Sequence, residues 1–177
     1  MIATDRLVLR NWRSSDQEPW AALNADPEVM EHFPATLTAE ESAAMLAVHQ
    51  ALIAERGWGL WAVERRADGA FLGFCGLMQL RESNPLAPGV EIGWRFARHA
   101  WGAGYASEAA RGALEHGFEV LNLPEIVSFT ATTNLRSQAV MQRIGMTRRE
   151  DLDFDHPALP KGHVLERHVV WSAERTL

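Results

Sequence analysis

A chain of 177 residues, 47% hydrophobic and 23% charged, has the length to bury a sizeable core and is too apolar to stay disordered. Its net charge of −6 excludes a general nucleic-acid binder, which needs a basic face. Its single cysteine, Cys75, excludes an internal disulfide and a multi-cysteine metal site. No apolar run reaches the ~20 residues of a membrane span, and residues 1–5 do not open a signal peptide, so the expectation is a soluble, cytoplasmic protein without membrane or nucleic-acid partners.

Leu7 and Leu9 alternate with Arg6, Val8 and Arg10 in a first short strand. Ser15 or Asp16 caps a helix containing Trp20, Ala21 and Leu23, and Asp26-Pro27-Glu28 makes a turn. Thr38 and Glu41 form a capping box, and the helix they open puts Leu46, Ile53 and their neighbours on an apolar side until Gly57. Residues 58–64 and 71–80 read as strands joined by a hairpin turn at Ala67-Asp68-Gly69. Gly73 and Gly76 inside the second strand mark a bulge or a close backbone approach. A loop over 83–89 leads to a strand over 90–96. A helix from Ala106 to Leu121 then buries Ala109, Ala110, Ala113 and Gly117 and turns Glu108, Arg111, Glu115 and Glu119 to water. A strand over 125–132, a short helix over 137–144 ended at Gly145, and strands over 147–154 and 164–172 finish the chain.

No repeat or linker divides this order, so residues 1–177 read as a single domain of the α/β (α+β) class. Hairpins precede a β–loop–helix–β crossover, which predicts a mixed sheet, antiparallel first and parallel across the crossover. The crossover also concentrates the chemistry. A strand, the Gly102-Ala103-Gly104 loop and a helix start present backbone N–H groups to an anion, although a plain tight turn would use the same glycines. Residues 93–107 hold no acidic residue against Arg95, Arg98 and His99. Residues 126–149 hold none against Arg136, Arg143, Arg148 and Arg149, so an anionic ligand between the two segments is expected. Gly104 is followed by Tyr105 and Ala106 where a P-loop needs Lys-Ser/Thr. Ser107 stands where a dinucleotide loop needs its third glycine, so both common nucleotide readings fail.

These residues resemble the GNAT superfamily of N-acetyltransferases. Its pyrophosphate loop, Gln/Arg-x-x-Gly-x-Gly/Ala, is similar to His99-Ala100-Trp101-Gly102-Ala103-Gly104. The Glu91-Ile92-Gly93-Trp94 strand, the loop running through Tyr105 and Ala106, Asn134-x-x-Ser137 and the opening Thr4-Asp5-Arg6-Leu7 resemble the subgroup that includes ribosomal-protein N-terminal acetyltransferases. The resemblance implies a sheet of about seven strands with a splayed parallel pair, flanked by about four helices. It implies acetyl-CoA as co-substrate and direct acetyl transfer to a primary amine, either a protein N-terminus or a small molecule. Backbone around Trp94 and Phe96 would pair with the pantetheine arm. His99, Trp101, Gly102, Ala103, Gly104, Tyr105 and Ala106 would cradle the pyrophosphate, with Arg143 nearby. Asn134 would reach the pantetheine amide and Ser137 the thioester sulfur. The subgroup leaves room for a homodimer.

His99 departs from the usual Gln/Arg, and Met141 stands where many relatives carry a tyrosine acid. Ser137 is then the best remaining acid, although a helix cap is its competing role. Glu91 is the candidate base, against the reading of a strand residue facing solvent or an arginine. A non-catalytic acyl-CoA sensor is the alternative that Met141 keeps open. No metal is expected: Asp153, Asp155, His156, His163 and His168 match no common site and read as a loop beside the acceptor cleft. Trp12, Trp20, Trp58 and Trp61 are read as core, with Trp58 a candidate for the acceptor site, and Cys75 as buried and inert.

Overall fold

In the computed structural model, which describes residues 1–175, the chain folds around one twisted mixed sheet. Its strands are β1 (Ile2–Ala3), β2 (Leu7–Arg10), β3 (Leu60–Arg65), β4 (Phe71–Gln79), β5 (Val90–Phe96), β6 (Glu125–Ala131), β7 (Thr147–Arg148), β8 (Phe154–Asp155) and β9 (Arg167–Glu174). They lie in the order β1-β2-β3-β4-β5-β6-β9-β7, with β8 also paired to β9. The helices are α1 (Gln17–Ala25), α2 (Ala39–Arg56), α3 (Tyr105–Glu119) and α4 (Leu135–Arg143).

The sheet has two covered faces because β4 alternates. Phe74 meets Trp20 of α1 at 5.6 Å between ring centroids, while Leu77, an odd number of residues on, reaches the opposite face beneath Gly117 of α3. Trp20, Trp61, Leu7, Leu9 and Leu72 are among the largest fully buried side chains. Buried indoles need partners for their N–H: Trp12 donates to the Leu60 carbonyl and Trp20 to that of Ser42. Trp58 is only partly buried and does not line the main groove. Cys75 is fully buried, and burial pushes its thiol pKa up, which removes the thiolate.

α2 starts as expected: the Glu41 N–H donates to Thr38 Oγ1 at 3.1 Å, and Glu41 Oε2 accepts from the Thr38 N–H at 2.8 Å. α1 does not. Asp16 stands at its N-cap without a capping hydrogen bond, because a 3-10 turn (Ser14–Asp16) leads in and Arg10 takes the carboxylate bidentately at 2.7 and 2.8 Å. Gly73 carries both of its expected features. The register between β3 and β4 shifts there, and a Cβ on Gly73 would lie 2.1 Å from the Arg95 carbonyl oxygen.

Beyond α4 the expected strand over 147–154 is broken into β7, a 3-10 turn (Glu150–Leu152) and β8. The break is held by side chains standing in for ladder groups. Arg148 donates to the Val170 carbonyl and to Asp153, and Asp153 Oδ1 accepts the Val170 N–H. This split and the short β1 raise the strand count from about seven to nine. Among the described residues no helix is long and apolar enough to cross a membrane.

Candidate active site

β5 and β6 are the parallel pair, and they are joined by a single bridge, Glu91 to Val127. One further tie, from Ser128 Oγ to the Ile92 carbonyl at 3.0 Å, closes the paired region. Beyond it the strands part. The Ala97 N–H donates to Leu72 of β4, so alternate residues Gly93 and Arg95 also turn their backbone groups to β4. Ile92, Trp94 and Phe96 therefore turn theirs toward β6 and the gap. The Phe96 carbonyl is taken by Trp101 Nε1 at 2.8 Å. The N–H and C=O of Trp94 and the N–H of Phe96 remain as an open sheet edge.

The gap runs into the start of α3. Gly102 and Gly104 take left-handed φ values of 75° and 80°, which curl the loop so that Gly104 becomes the helix N-cap. The first helical bond is from the Glu108 N–H to the Gly104 carbonyl, and no side chain caps the end, so the N–H groups of Tyr105, Ala106 and Ser107 lack helical acceptors. These donors and the helix dipole favour an anion.

Glu108, expected in water, is instead a latch. It accepts from Thr4 Oγ1 at 2.6 Å, from the Arg6 N–H at 2.8 Å and from Arg6 Nε at 2.7 Å, and Arg6 also donates to the Ala103 carbonyl. Burial raises its pKa, but the Thr4 and Arg6 bonds outweigh that and hold the carboxyl below its ordinary value. The same bonds offset its charge beside the anion site.

α4 brings its predicted residues to the other wall. Asn134, not Ser137, is the N-cap, and its Oδ1 accepts the Ser137 N–H at 3.1 Å. Its Nδ2 donates to Thr130 Oγ1 at 2.9 Å and to Ser137 Oγ at 3.1 Å. Ser137 Oγ thus has an oxygen lone pair engaged and its own hydrogen free to donate. Met141, one turn further, is buried and apolar, and Arg143 is exposed at the end of the helix. Arg136 stacks over the Trp101 ring at 4.6 Å. His99 and Ala103 are exposed outside the groove lining.

One groove of about 2010 Å³ connects Gly102, Trp94 and Ser137 with Glu91, and continues past Arg95 and Phe33. That exceeds the roughly 300–1,000 Å³ of a single-ligand pocket and leaves room for two substrates. The Glu91 carboxyl is half-buried. Burial pushes its pKa up to about 7 and the nearby Arg81 guanidinium opposes the rise. His156 and His168, with ring centroids 4.9 Å apart, border the same groove. Asp153 and Asp155 are turned instead to Arg148 and Arg167, and no three metal-ligating side chains converge among the described residues. Sequence reasoning missed the Glu108 latch and the position of Arg95 on the same face as Glu91. The period of two along β5 was the available signal for the second; the first joins residues about a hundred positions apart and left none.

The uncapped helix start and the open strand edge fit a phosphorylated ligand with an amide-bearing arm. Residues 6–147 match the family model described as an acetyltransferase (GNAT) domain. The chain is 34% identical to YkkB of Bacillus subtilis over 82% of this chain and 84% of that one. It is 33% identical to the FsC-acetyl coenzyme A-N(2)-transacetylase of Aspergillus fumigatus, over 92% of this chain and 73% of that protein. Its fold is that of a GNAT-family acetyltransferase from Bacillus anthracis, with a TM-score of 0.81, 24% identity and coverage of 98% and 97% of the two chains.

Proposed function

The chain belongs to the GNAT acetyltransferase family and is an acetyl-CoA-dependent N-acetyltransferase, and from that premise we propose direct acetyl transfer to a primary amine, with Glu91 as base and Ser137 as acid. Acetyl-CoA brings an activated acyl thioester to the groove. The open N–H and C=O of Trp94 and the N–H of Phe96 receive the pantetheine arm as an added strand. Backbone around Gly102, Ala103, Gly104, Tyr105 and Ala106 receives the pyrophosphate, with His99, Trp101 and Arg143 at its margin.

The observation that carries the assignment is Glu91, a half-buried carboxyl with a pKa of about 7 in the groove that also holds Ser137. A base poised there takes a proton from the acceptor at neutral pH, directly or through water. Freeing an α-amine of its proton at pH 7 costs about 1 kcal/mol and freeing a lysine-like amine about 4.6 kcal/mol, so such a base suits the α-amine of a protein N-terminus or of a small molecule. Ser137 passes its hydroxyl hydrogen to the departing sulfur and takes back the proton that the nitrogen of the tetrahedral intermediate must lose, directly or through water, and Asn134 fixes its position.

The test follows CoA thiol release with a panel of α-amines and longer amines. Ser137→Ala should lower kcat at least tenfold while KM for acetyl-CoA changes little. An unchanged kcat removes Ser137 as the acid, and a flat profile across the panel removes the preference for α-amines.

A further inference from the structure

Arg95 follows Glu91 by four residues on β5 and shares its face of the sheet. No carboxylate answers it: among the described residues no Asp or Glu lies within ion-pair distance of its guanidinium. Its side chain is half-buried, and Nε is shut off from solvent with no hydrogen-bond partner. Nη1 donates to Asn24 Oδ1. Asn24 is itself fully buried on α1, and its amide is turned by donation to Ser42 Oγ of α2 at 3.1 Å, which presents the oxygen to the arginine. Three aromatic rings surround the cation, Phe33 at 4.0 Å, Phe74 at 5.6 Å and Trp20 at 5.7 Å.

This is a half-buried cation that no carboxylate of the described residues pairs. Burial lowers the Arg95 pKa only to about 10, so the group stays charged at neutral pH. His49, packed against Trp12, Trp20 and Phe74, is pushed down to about 4 by burial and by Arg95, and is neutral there. Of the carboxylates on this part of the groove, Glu28 is bound to Arg98. Removing a charge from water without pairing it is costly, and an anionic ligand group would offset that cost through Nη2, the arm of the guanidinium fork that no protein acceptor takes. The floor between the two charged side chains is open as well. Gly93 stands between Glu91 and Arg95 on the same face, with nothing within 4 Å of the point a Cβ would occupy. The Cα atoms of Glu91 and Arg95 are about 13 Å apart along the strand, a span that the reach of the two side chains reduces to the length of a small molecule.

We propose that Arg95 is a specificity-determining residue that binds a carboxylate on the acetyl acceptor, so that the preferred substrates are amines carrying a carboxylate, not polyamines or simple alkylamines. The proposal rests on the reading of Glu91 as the base, because that reading makes this face of β5 the acceptor side. The amine lies over Gly93 toward Glu91 and the carboxylate lies toward Arg95. The guanidinium takes no part in bond making. It orients the acceptor and excludes cationic competitors by like-charge repulsion.

The test uses the full chain loaded with CoA or supplied with acetyl-CoA. Free α-amino acids, β-alanine and 4-aminobutyrate are compared with their own carboxamides, with spermidine, and with dipeptides bearing an N-terminal aspartate or glutamate. Binding is measured by calorimetric titration and turnover by thiol release, with rates expressed per neutral amine because amidation changes the amine's own pKa. The carboxylates should bind at least tenfold tighter than their carboxamides, and Arg95→Met should abolish that ratio while leaving KM for acetyl-CoA unchanged. Arg95→Lys, which keeps the charge without the fork, should restore part of it. Selectivity confined to the acidic dipeptides would assign the carboxylate to a peptide acceptor, and selectivity confined to the amino acids to a free one. Equal affinity for carboxylate and carboxamide in the parent protein, a comparison that needs no variant to fold, overturns the proposal. Turnover without carboxylate selectivity removes Arg95's role and leaves Glu91's standing, and carboxylate-selective binding without turnover does the reverse.

Discussion

Glu91 shows how one strand position ties function to stability. Its carboxyl holds a proton up to about pH 7 when folded, against an ordinary value of 4.5. Between those values the folded state binds more protons than the unfolded state, so stability falls as pH rises. Glu91→Gln removes that loss. Above pH 7 the variant should be the more stable protein, by up to about 3 kcal/mol and visible as a higher Tm, while kcat/KM loses its rise near neutral pH. Arg81→Gln should move the same kinetic limb to higher pH, because the guanidinium opposes the effect of burial. An unaltered pH–rate profile in Glu91→Gln would sink its assignment as the base.

At the scale of elements, the turn into α3 and the close pairing of β4 with β5 use glycine for different reasons, and substitution should separate them. Alanine at Gly104 meets nothing closer than Arg6 Nη2 at 3.6 Å, so its cost is the left-handed backbone, about 1–2 kcal/mol. Gly104→Ala should raise KM for acetyl-CoA several-fold and lower Tm modestly. Gly73→Ala drives a methyl to 2.1 Å from the Arg95 carbonyl oxygen and should destabilise far more, read as a much lower midpoint in denaturant. Both positions were legible in the sequence, as were the Thr38 capping box and the strand–loop–helix order, because each rests on neighbours in the chain. The break between β7 and β8 was not. It depends on Arg148 and Asp153 reaching Val170 of a distant strand, a contact that local periodicity does not encode. The first acid-free segment contains the uncapped start of α3, while the latch that neutralises Glu108 lies outside both segments.

For the whole molecule, the junction of β2 with α1 holds one corner of the sheet. Arg10 and Asp16 are 6% and 2% exposed as side chains, and Glu64 shares the arginine. Asp16→Ala leaves a largely buried cation with one remaining carboxylate and should cost about 3–5 kcal/mol of unfolding free energy. Asp151→Ala, which breaks an exposed pair with Arg149, should leave the Tm nearly unchanged. The parting of β5 and β6 has a consequence of another kind. It divides a nine-stranded sheet into two plates joined by one bridge and one serine bond, and leaves a strand edge open in the middle of the molecule instead of at its rim. Such an edge is a template for any stray strand. In the proposed binding mode the donor substrate fills this edge and acts as a plug, so acetyl-CoA should slow aggregation of the protein, measured by light scattering, as well as feed the reaction.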